Sequence, residues 1–256
     1  MTARQNLFGV TLDALTMDQT VARCLAAVRA GERLEIGVVN AAKLVNMRRD
    51  PALARAVSGC DLVLADGQAV VWAGRLLRRP LPERVAGIDL FTRLLAEAER
   101  EGLSVYFLGA RQDVLEQMLR RVAVRFPGLR VAGSRNGYFD DGEQPAVADA
   151  IAESGADMLF LGMTSPKKEI FTAGYGERSK VALVHGVGGS FDILAGITRR
   201  APERWQRLGL EWLYRTLQEP RRLGRRYLTT NVSFALMTGR ELLRRTPSIS
   251  TASRES

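Results

Sequence analysis

Histidine is nearly absent from this 256-residue chain: His185 stands alone, and cysteine occurs only at Cys24 and Cys60. A His-rich metal site is thereby excluded. The two cysteines have no CxxC spacing and no neighbouring ligands, so both read as buried thiols of a reducing compartment. No apolar run approaches the roughly 18 residues of a membrane-spanning helix, and the opening MTARQNLFGVTLDALT lacks the apolar core of a signal peptide. These absences point to a cytoplasmic protein whose contact with a membrane, if any, is peripheral. Also missing are the GxSxG elbow of serine hydrolases, a Walker A loop closing on Gly-Lys-Ser/Thr, and a GxGxxG after the first strand.

What is abundant is arginine, and it is unevenly placed. Residues 199–226 hold nine arginines and three glutamates, with Trp205, Leu208, Leu210, Trp212, Leu213 and Leu217 among them. Residues 197–245 carry twelve arginines against four glutamates, whereas residues 1–196 are nearly neutral, with 24 basic and 23 acidic side chains. A neutral body with a basic, aromatic-rich appendage suits chemistry on a polar substrate beside something anionic, a membrane surface or a phosphate-rich ligand. The expected organisation is a catalytic body over 1–196, a helical appendage over 197–245 and a disordered tail over 246–256.

Short apolar runs alternate with helix-period segments through the body. Strands are expected at Leu7–Leu12, Leu34–Val39, Leu62–Ala65, Ser104–Leu108, Leu129–Ala132, Met158–Leu161 and Val181–Val184. Helices are expected near 16–30, 43–58, 67–77, 87–101, 112–126, 143–154 and 166–174, with another over 227–243 in the appendage. This alternation predicts an α/β fold, a mainly parallel Rossmann-like sheet covered by helices. Several strands run into Asn40, Asp66, Gly109, Gly162 or Gly186, and ligands of open α/β sheets bind at such carboxyl ends.

Each of these turns has two readings. Asp66 fits a catalytic carboxylate or the N-cap of the helix at 67–77, and Asn40 fits a cap or a sugar ligand. The run GVGGSFD, Gly186–Asp192, fits a backbone cradle for phosphate or simply a tight turn. In GMTSPKKE, Ser165 is a candidate cap and Pro166 suits a first helical position, with Lys167 and Lys168 placed to meet phosphate or solvent. Tyr138 could stack on a base or sugar, or be merely half-buried. Asp140-Asp141 reads as an exposed turn before a metal site. Arginines of the appendage fit a diphosphate bidentately, or form a solvated face.

Taken together the motifs are similar to those of one family. The chain resembles the WecG/TagA/CpsF glycosyltransferases (glycosyltransferase family 26) from about Phe8 to Leu236. The matching pieces are ADG at 65–67, ERVAGIDL at 83–90, FLGA at 107–110, GYF at 137–139, SPKKEIF at 165–171, and Gly186–Arg222. The resemblance implies an inverting, metal-independent transferase that uses no cofactor. It moves a sugar from a UDP-sugar to a sugar linked through diphosphate to a polyprenyl lipid, for teichoic acid, common antigen or exopolysaccharide. It implies Asp66 as base, with Asn40 and Arg84 in the cleft; Lys168 joins Arg84 and the Gly162 and Gly186 turns as a candidate to meet the charge of the departing UDP. Asn136, Tyr138, Gly188, Gly189 and Asp192 would hold the donor, and Arg215, Arg222 and Arg225 the lipid diphosphate; the strand-end glycines Gly109, Gly162 and Gly186 are expected on the donor side as well. Two departures bear on the choice of sugar: Lys168 stands where the family usually has Gln, and Val38 where some members have Thr.

The implied partners are the two substrates and the inner face of the cell membrane, with a homo-oligomer possible and no nucleic acid. Three other readings fare worse. The arginines alone would serve a nucleic-acid binder, but the body carries no RNA-binding signature. A nicotinamide oxidoreductase lacks its glycine motif. A non-catalytic scaffold of polysaccharide assembly is hard to reconcile with Asp66, Asn40 and Arg84 occurring together.

Overall fold

The computed structural model describes residues 4–218 and 220–245; the tail expected to be disordered lies outside the described residues. The chain opens with a hairpin of β1 (Arg4–Leu7) and β2 (Val10–Asp13), where one continuous strand is expected. Phe8 and Gly9 both adopt positive φ, 58° and 84°, the requirement of a two-residue type I′ turn. The alternation of apolar residues runs straight through this turn, which hides it. Phe8 accepts the left-handed conformation while packing edge-on against Phe234, with ring centroids 5.3 Å apart.

There follow α1 (Met17–Ala30), β3 (Leu34–Val39), α2 (Ala41–Met47), α3 (Pro51–Ser58), β4 (Leu62–Ala65), α4 (Gln68–Leu76) and α5 (Gly87–Glu101). Next come β5 (Ser104–Gly109), α6 (Gln112–Arg125), β6 (Arg130–Arg135), a 3₁₀ turn (Asp141–Glu143), α7 (Gln144–Glu153), β7 (Met158–Gly162), α8 (Lys167–Tyr175) and β8 (Leu183–Gly186). The chain ends in α9 (Ser190–Leu194), α10 (Glu203–Arg207), α11 (Glu211–Gln218) and α12 (Pro220–Arg245). Local chemistry explains many boundaries. Thr16 and Gln19 form a capping box at the start of α1, and Gly31 and Gly102 end α1 and α5 in the left-handed conformation. The single helix expected over 43–58 is split, because Asp50 caps a new helix whose first residue is Pro51.

Six strands form one parallel sheet in the order β4-β3-β8-β7-β5-β6. One face packs on α1, α5, α6 and α9 through a cluster that includes Phe91, Phe107, Phe160 and Phe191, all 0% exposed. The other face packs on α7 and α8 at one end, and on α2, α3, α4, the hairpin and α12 at the other. The chain leaves β3 and β8 toward opposite faces, and likewise β5 and β7. These are the switch points at which crevices open along the carboxyl edge. Each phenylalanine buried behind that edge contributes roughly 1.5–3 kcal/mol relative to exposure, so the edge rests on a firm base.

The appendage is packed on the body. Phe234 and Met237 of α12 join the core cluster beneath α2, and Arg79 pairs with Glu241 at 3.6 Å. Among the described residues no helix is long and apolar enough to cross a membrane.

Candidate active site

Asp66, one residue past β4, does not cap the helix that follows it. The N-cap of α4 is Gly67, with no side-chain hydrogen bond. Instead Asp66 Oδ1 accepts from the Gly87 amide at 2.8 Å, at the start of α5. Val85 N donates to Ala65 O at 2.9 Å, which draws the segment before α5 alongside the end of β4. The carboxylate therefore sits on the amide end of a 15-residue helix, where negative charge is favoured. Oδ2 of Asp66 has no hydrogen-bond partner among the described residues, and the residue is partly exposed.

Asn40 takes the bland role. Its side chain accepts from Lys43 N at 3.0 Å as the N-cap of α2. It is nonetheless beside Asp66, since a Cβ on Gly67 would lie 3.0 Å from that of Asn40. On the other side His185, at the end of β8, is fully buried and its Nε2 donates to Gly87 O at 3.1 Å. Burial is the main reason its pKa drops to about 4, which keeps the ring neutral. Asp66 and His185 thus grip the same residue of α5 through its amide and its carbonyl.

Of the two readings of Lys168, phosphate or solvent, the structure disfavours a solvated lysine. It is 8% exposed, and its stem passes so close to Gly186 that a Cβ there would lie 2.8 Å from Lys168 Cε. Its Nζ lies 3.2 Å from Glu169 Oε1, which also receives Lys43 Nζ at 2.8 Å. Burial, followed by the charge of Lys43, lowers the Lys168 pKa to about 8. Glu169 is pushed up by burial, but Lys43 and Lys168 together outweigh this and hold it at about 2. The ammonium reaches toward the Gly186–Gly188 turn, 3.9 Å from where a Cβ of Gly188 would be. Ser165 is no cap: α8 has Pro166 as its N-cap, without a side-chain bond. Lys167 instead donates to Gly137 O and Phe139 O at 3.0 and 3.1 Å, pinning the 136–139 loop.

That loop lies against the ends of β5 and β7. Gly137 N donates to Ala110 O at 2.9 Å, and a Cβ on Gly137 would lie 3.0 Å from Gly109 Cα. Gly109 and Gly162 are adjacent, with no room for a side chain between them, and Gly162 faces the ring of Phe191. Asn136 bonds Gln112 at 3.1 Å and accepts from Tyr138 N at 3.0 Å. Tyr138 is 73% exposed rather than half-buried. Gly188 has φ 53°, Gly189 caps the short α9, and Asp192 lies in its first turn. Asp140 forms a capping box with Glu143, an exposed turn as expected. Among the described residues no group of three His, Cys, Asp or Glu is placed to hold a metal. Cys24 is buried and its pKa is raised to about 12, mainly by burial. Cys60 is only partly buried, a correction to the reading of two buried thiols, and its pKa too is raised by burial.

Arg84 faces the appendage. It pairs with Glu211 of α11 at 3.2 Å and with Asp89 of α5 at 3.8 Å. Arg200 grips Asp89 through both oxygens at 2.5 and 2.7 Å. Arg215 falls on α11, and Arg222 and Arg225 on α12; their side chains lie outside those described. The structure thus gathers Asp66, Asn40, Lys168 and the glycine turns on one edge, with Arg84 at its border. The Arg84–Glu211 and Asp89–Arg200 pairs to the appendage and the buried Lys43–Glu169 pair are not readable locally. Lys43 and Glu169 are 126 residues apart, so only their occurrence beside apolar helix positions hinted at burial.

Comparison with known proteins identifies the family. Residues 5–248 match the model of the glycosyl transferase WecG/TagA/CpsF family. A relative from Bacillus spizizenii, N-acetylglucosaminyldiphosphoundecaprenol N-acetyl-beta-D-mannosaminyltransferase, is 40% identical over 174 residues, covering 68% of this chain and 67% of the relative. The chain belongs to the WecG/TagA/CpsF family and is a glycosyltransferase.

Proposed function

We propose that the protein transfers a sugar from a UDP-sugar to a sugar carried on a polyprenyl diphosphate, with inversion and with Asp66 as general base. The observation that carries this reading is the state of the Asp66 carboxylate. One oxygen is fixed by the Gly87 amide at 2.8 Å and the other is left for an acceptor hydroxyl. As that hydroxyl attacks the anomeric carbon, Oδ2 takes its proton, a contribution of roughly 10²- to 10⁴-fold in rate. The UDP departs on the opposite side of the sugar. Its growing charge would meet the Lys168 ammonium and the backbone amides of the Gly162 and Gly186 turns, so no metal step is needed. Asn136, Tyr138 and Asp192 border this region and are assigned to the nucleoside, and Arg84 to the acceptor side.

The B. spizizenii relative is named for an undecaprenyl-diphosphate-linked acceptor and for N-acetylmannosaminyl transfer. The same acceptor class suits this chain. The replacement of the usual Gln by Lys168 leaves the donor to be identified by assay. A lipid acceptor also gives a role to the exposed apolar side chains near the arginines, including Trp72, Leu208, Leu217 and Leu228, each at least 49% exposed. They suit peripheral contact with the inner membrane surface, where each basic residue adds roughly 1 kcal/mol. The test is release of UDP from a panel of UDP-sugars with a short-chain acceptor in the presence of EDTA, followed by the anomeric configuration of the product. One donor should give acceptor-dependent release with inversion. Retention of configuration, or loss of activity with EDTA, would contradict the mechanism.

A further inference from the structure

Three adjacent strands, β4, β3 and β8, end on one residue. On the face of the sheet covered by α5, Leu62 and Leu64 of β4, Leu34 and Ile36 of β3, and Leu183 of β8 belong to one apolar cluster. Side chains alternate between the faces of a strand, so these rows continue to Asp66, Val38 and His185. All three reach Gly87, the first residue of α5. A Cβ on Gly87 would lie 3.7 Å from Val38 Cγ2, 3.8 Å from His185 Cε1 and 3.9 Å from Asp66 Oδ1. Gly87 N donates to Asp66 Oδ1 at 2.8 Å, and Gly87 O accepts from His185 Nε2 at 3.1 Å.

A histidine is costly in this place. Its ring is 0% exposed and edge-on to Phe160, with centroids 6.4 Å apart, and Nδ1 is buried with no partner among the described residues. An unsatisfied buried acceptor is unfavourable, and a leucine or methionine would fill the same apolar space without one. The Gly87 carbonyl does not need the bond either. In an α-helix the carbonyl of the first residue accepts from the amide four positions on, so His185 is a second donor to it. Nor can the ring meet substrate, being fully enclosed with its one N–H committed to Gly87. What the bond adds is a second hold on Gly87, the residue whose amide fixes Oδ1 of Asp66. We infer that His185 is a positioning residue for the reaction: it fixes the start of α5, and through the Gly87 amide it sets where Asp66 Oδ2 points. The inference rests on Asp66 being the base, as proposed above. A displacement of about 1 Å in a reacting group can cost about 10²-fold in rate, so such a hold is read in turnover.

The test compares His185→Met, which fills the space without a donor, with His185→Gln, whose side-chain amide donates from the position of Nε2. In acceptor-dependent UDP release from the donor panel, His185→Met should lose about 10- to 100-fold in kcat, with acceptor KM and UDP affinity within about twofold of wild type. His185→Gln should recover most of that loss. Built on Asp66→Asn, the Met substitution should cost no more than about twofold further, because no base is left to aim. An equal fold loss in both backgrounds would make His185 purely structural and overturn the inference. Unchanged kcat in His185→Met, or no recovery in His185→Gln, would do the same. Near-wild-type turnover by Asp66→Asn would instead remove the base and the inference with it, whereas additive loss beside a large Asp66→Asn defect removes the role of His185 alone. Exchange of the Gly87 amide, followed by NMR on protein carrying isotope-labelled glycine, reads the hold without any substrate. His185→Met should speed it at least about tenfold and His185→Gln should not; equal exchange in wild type and both variants would overturn the inference. Should His185→Met not fold, His185→Asn, whose amide stops one carbon short of that in His185→Gln, takes its place. Failure of both to fold would assign the histidine to the fold alone.

Discussion

Asp66 accepts a hydrogen bond from the backbone of Gly87, 21 positions away, at 2.8 Å. Two roles that compete at the level of sequence, cap and catalytic carboxylate, are therefore compatible in one residue: one oxygen holds the Gly87 amide, and the other is the one the proposed mechanism gives to the acceptor hydroxyl. The helix that it caps is α5 and not its neighbour α4. Substitution separates the two roles. Asp66→Asn keeps an acceptor for the Gly87 amide and removes the base, so turnover should fall about 10²- to 10⁴-fold with unchanged melting temperature and UDP affinity. Asp66→Ala should lose the same activity and also about 1 kcal/mol of stability with the cap. Activity assays and thermal melts on the pair check this; equal melting temperatures would remove the capping role.

If Lys168 meets the leaving group as proposed, the transfer reaction should have an alkaline limb. The Lys168 ammonium is lowered to about 8 by burial and by Lys43, so activity should decline as pH rises through about 8, where the charge opposite the leaving group is lost. Glu169 and Asp66 hold that charge up, and Glu169→Gln should therefore move the limb to lower pH. Lys168→Gln should abolish it. A pH–rate profile of the three proteins decides the matter, and an identical limb in all three would exclude Lys168 as its origin.

His185 sets an acid limit on stability. The folded protein holds it at about 4 against an ordinary 6.5, so between these values the unfolded chain binds a proton that the folded one does not. Stability should fall as pH drops from about 6.5 through 4, by on the order of 3 kcal/mol in full. Denaturant melts at pH 7 and pH 4.5 should show this loss, and His185→Gln should shrink it.

Gly162 tests whether the glycine turns are built to close tolerance. A methyl group there meets the Phe191 ring, so Gly162→Ala should cost about 1–3 kcal/mol through overpacking, or about 2–4 °C in melting temperature per kcal/mol for a chain of this size. UDP affinity should fall as well. A variant with wild-type melting temperature and affinity would show that the turn has slack.

The parallel sheet was legible because its strands are short Val- and Leu-rich runs separated by helix-period segments, and nearly every run ends at the turn where a strand ends. The carboxyl-edge positions of Asp66, Asn40, Gly162 and Gly186 followed from that alone. What stayed hidden was set by distant partners or by backbone conformation. Phe8 in a left-handed turn is tolerated because Phe234 packs on it from α12, and nothing near Phe8 signals this. Lys168 is adjacent to Glu169 in sequence, but its stem packs against the distant Gly186, and Lys43 reaches the same Glu169 carboxylate. Arg84 looks like a free cleft cation until α11 brings Glu211 to it. Asp66 has two equally good local readings, and the path of residues 84–87 back to β4 shows only that its carboxylate holds the start of α5 and not that of α4.

The most direct test of the central claim is acceptor-dependent UDP release by the wild-type protein and Asp66→Asn, measured side by side with a short-chain polyprenyl-diphosphate-linked sugar and a donor panel. Release with one donor that depends on the acceptor, and that falls at least about 100-fold in the variant with UDP affinity preserved, is the predicted result. Near-equal release by the two proteins would contradict the assignment of Asp66 as the base.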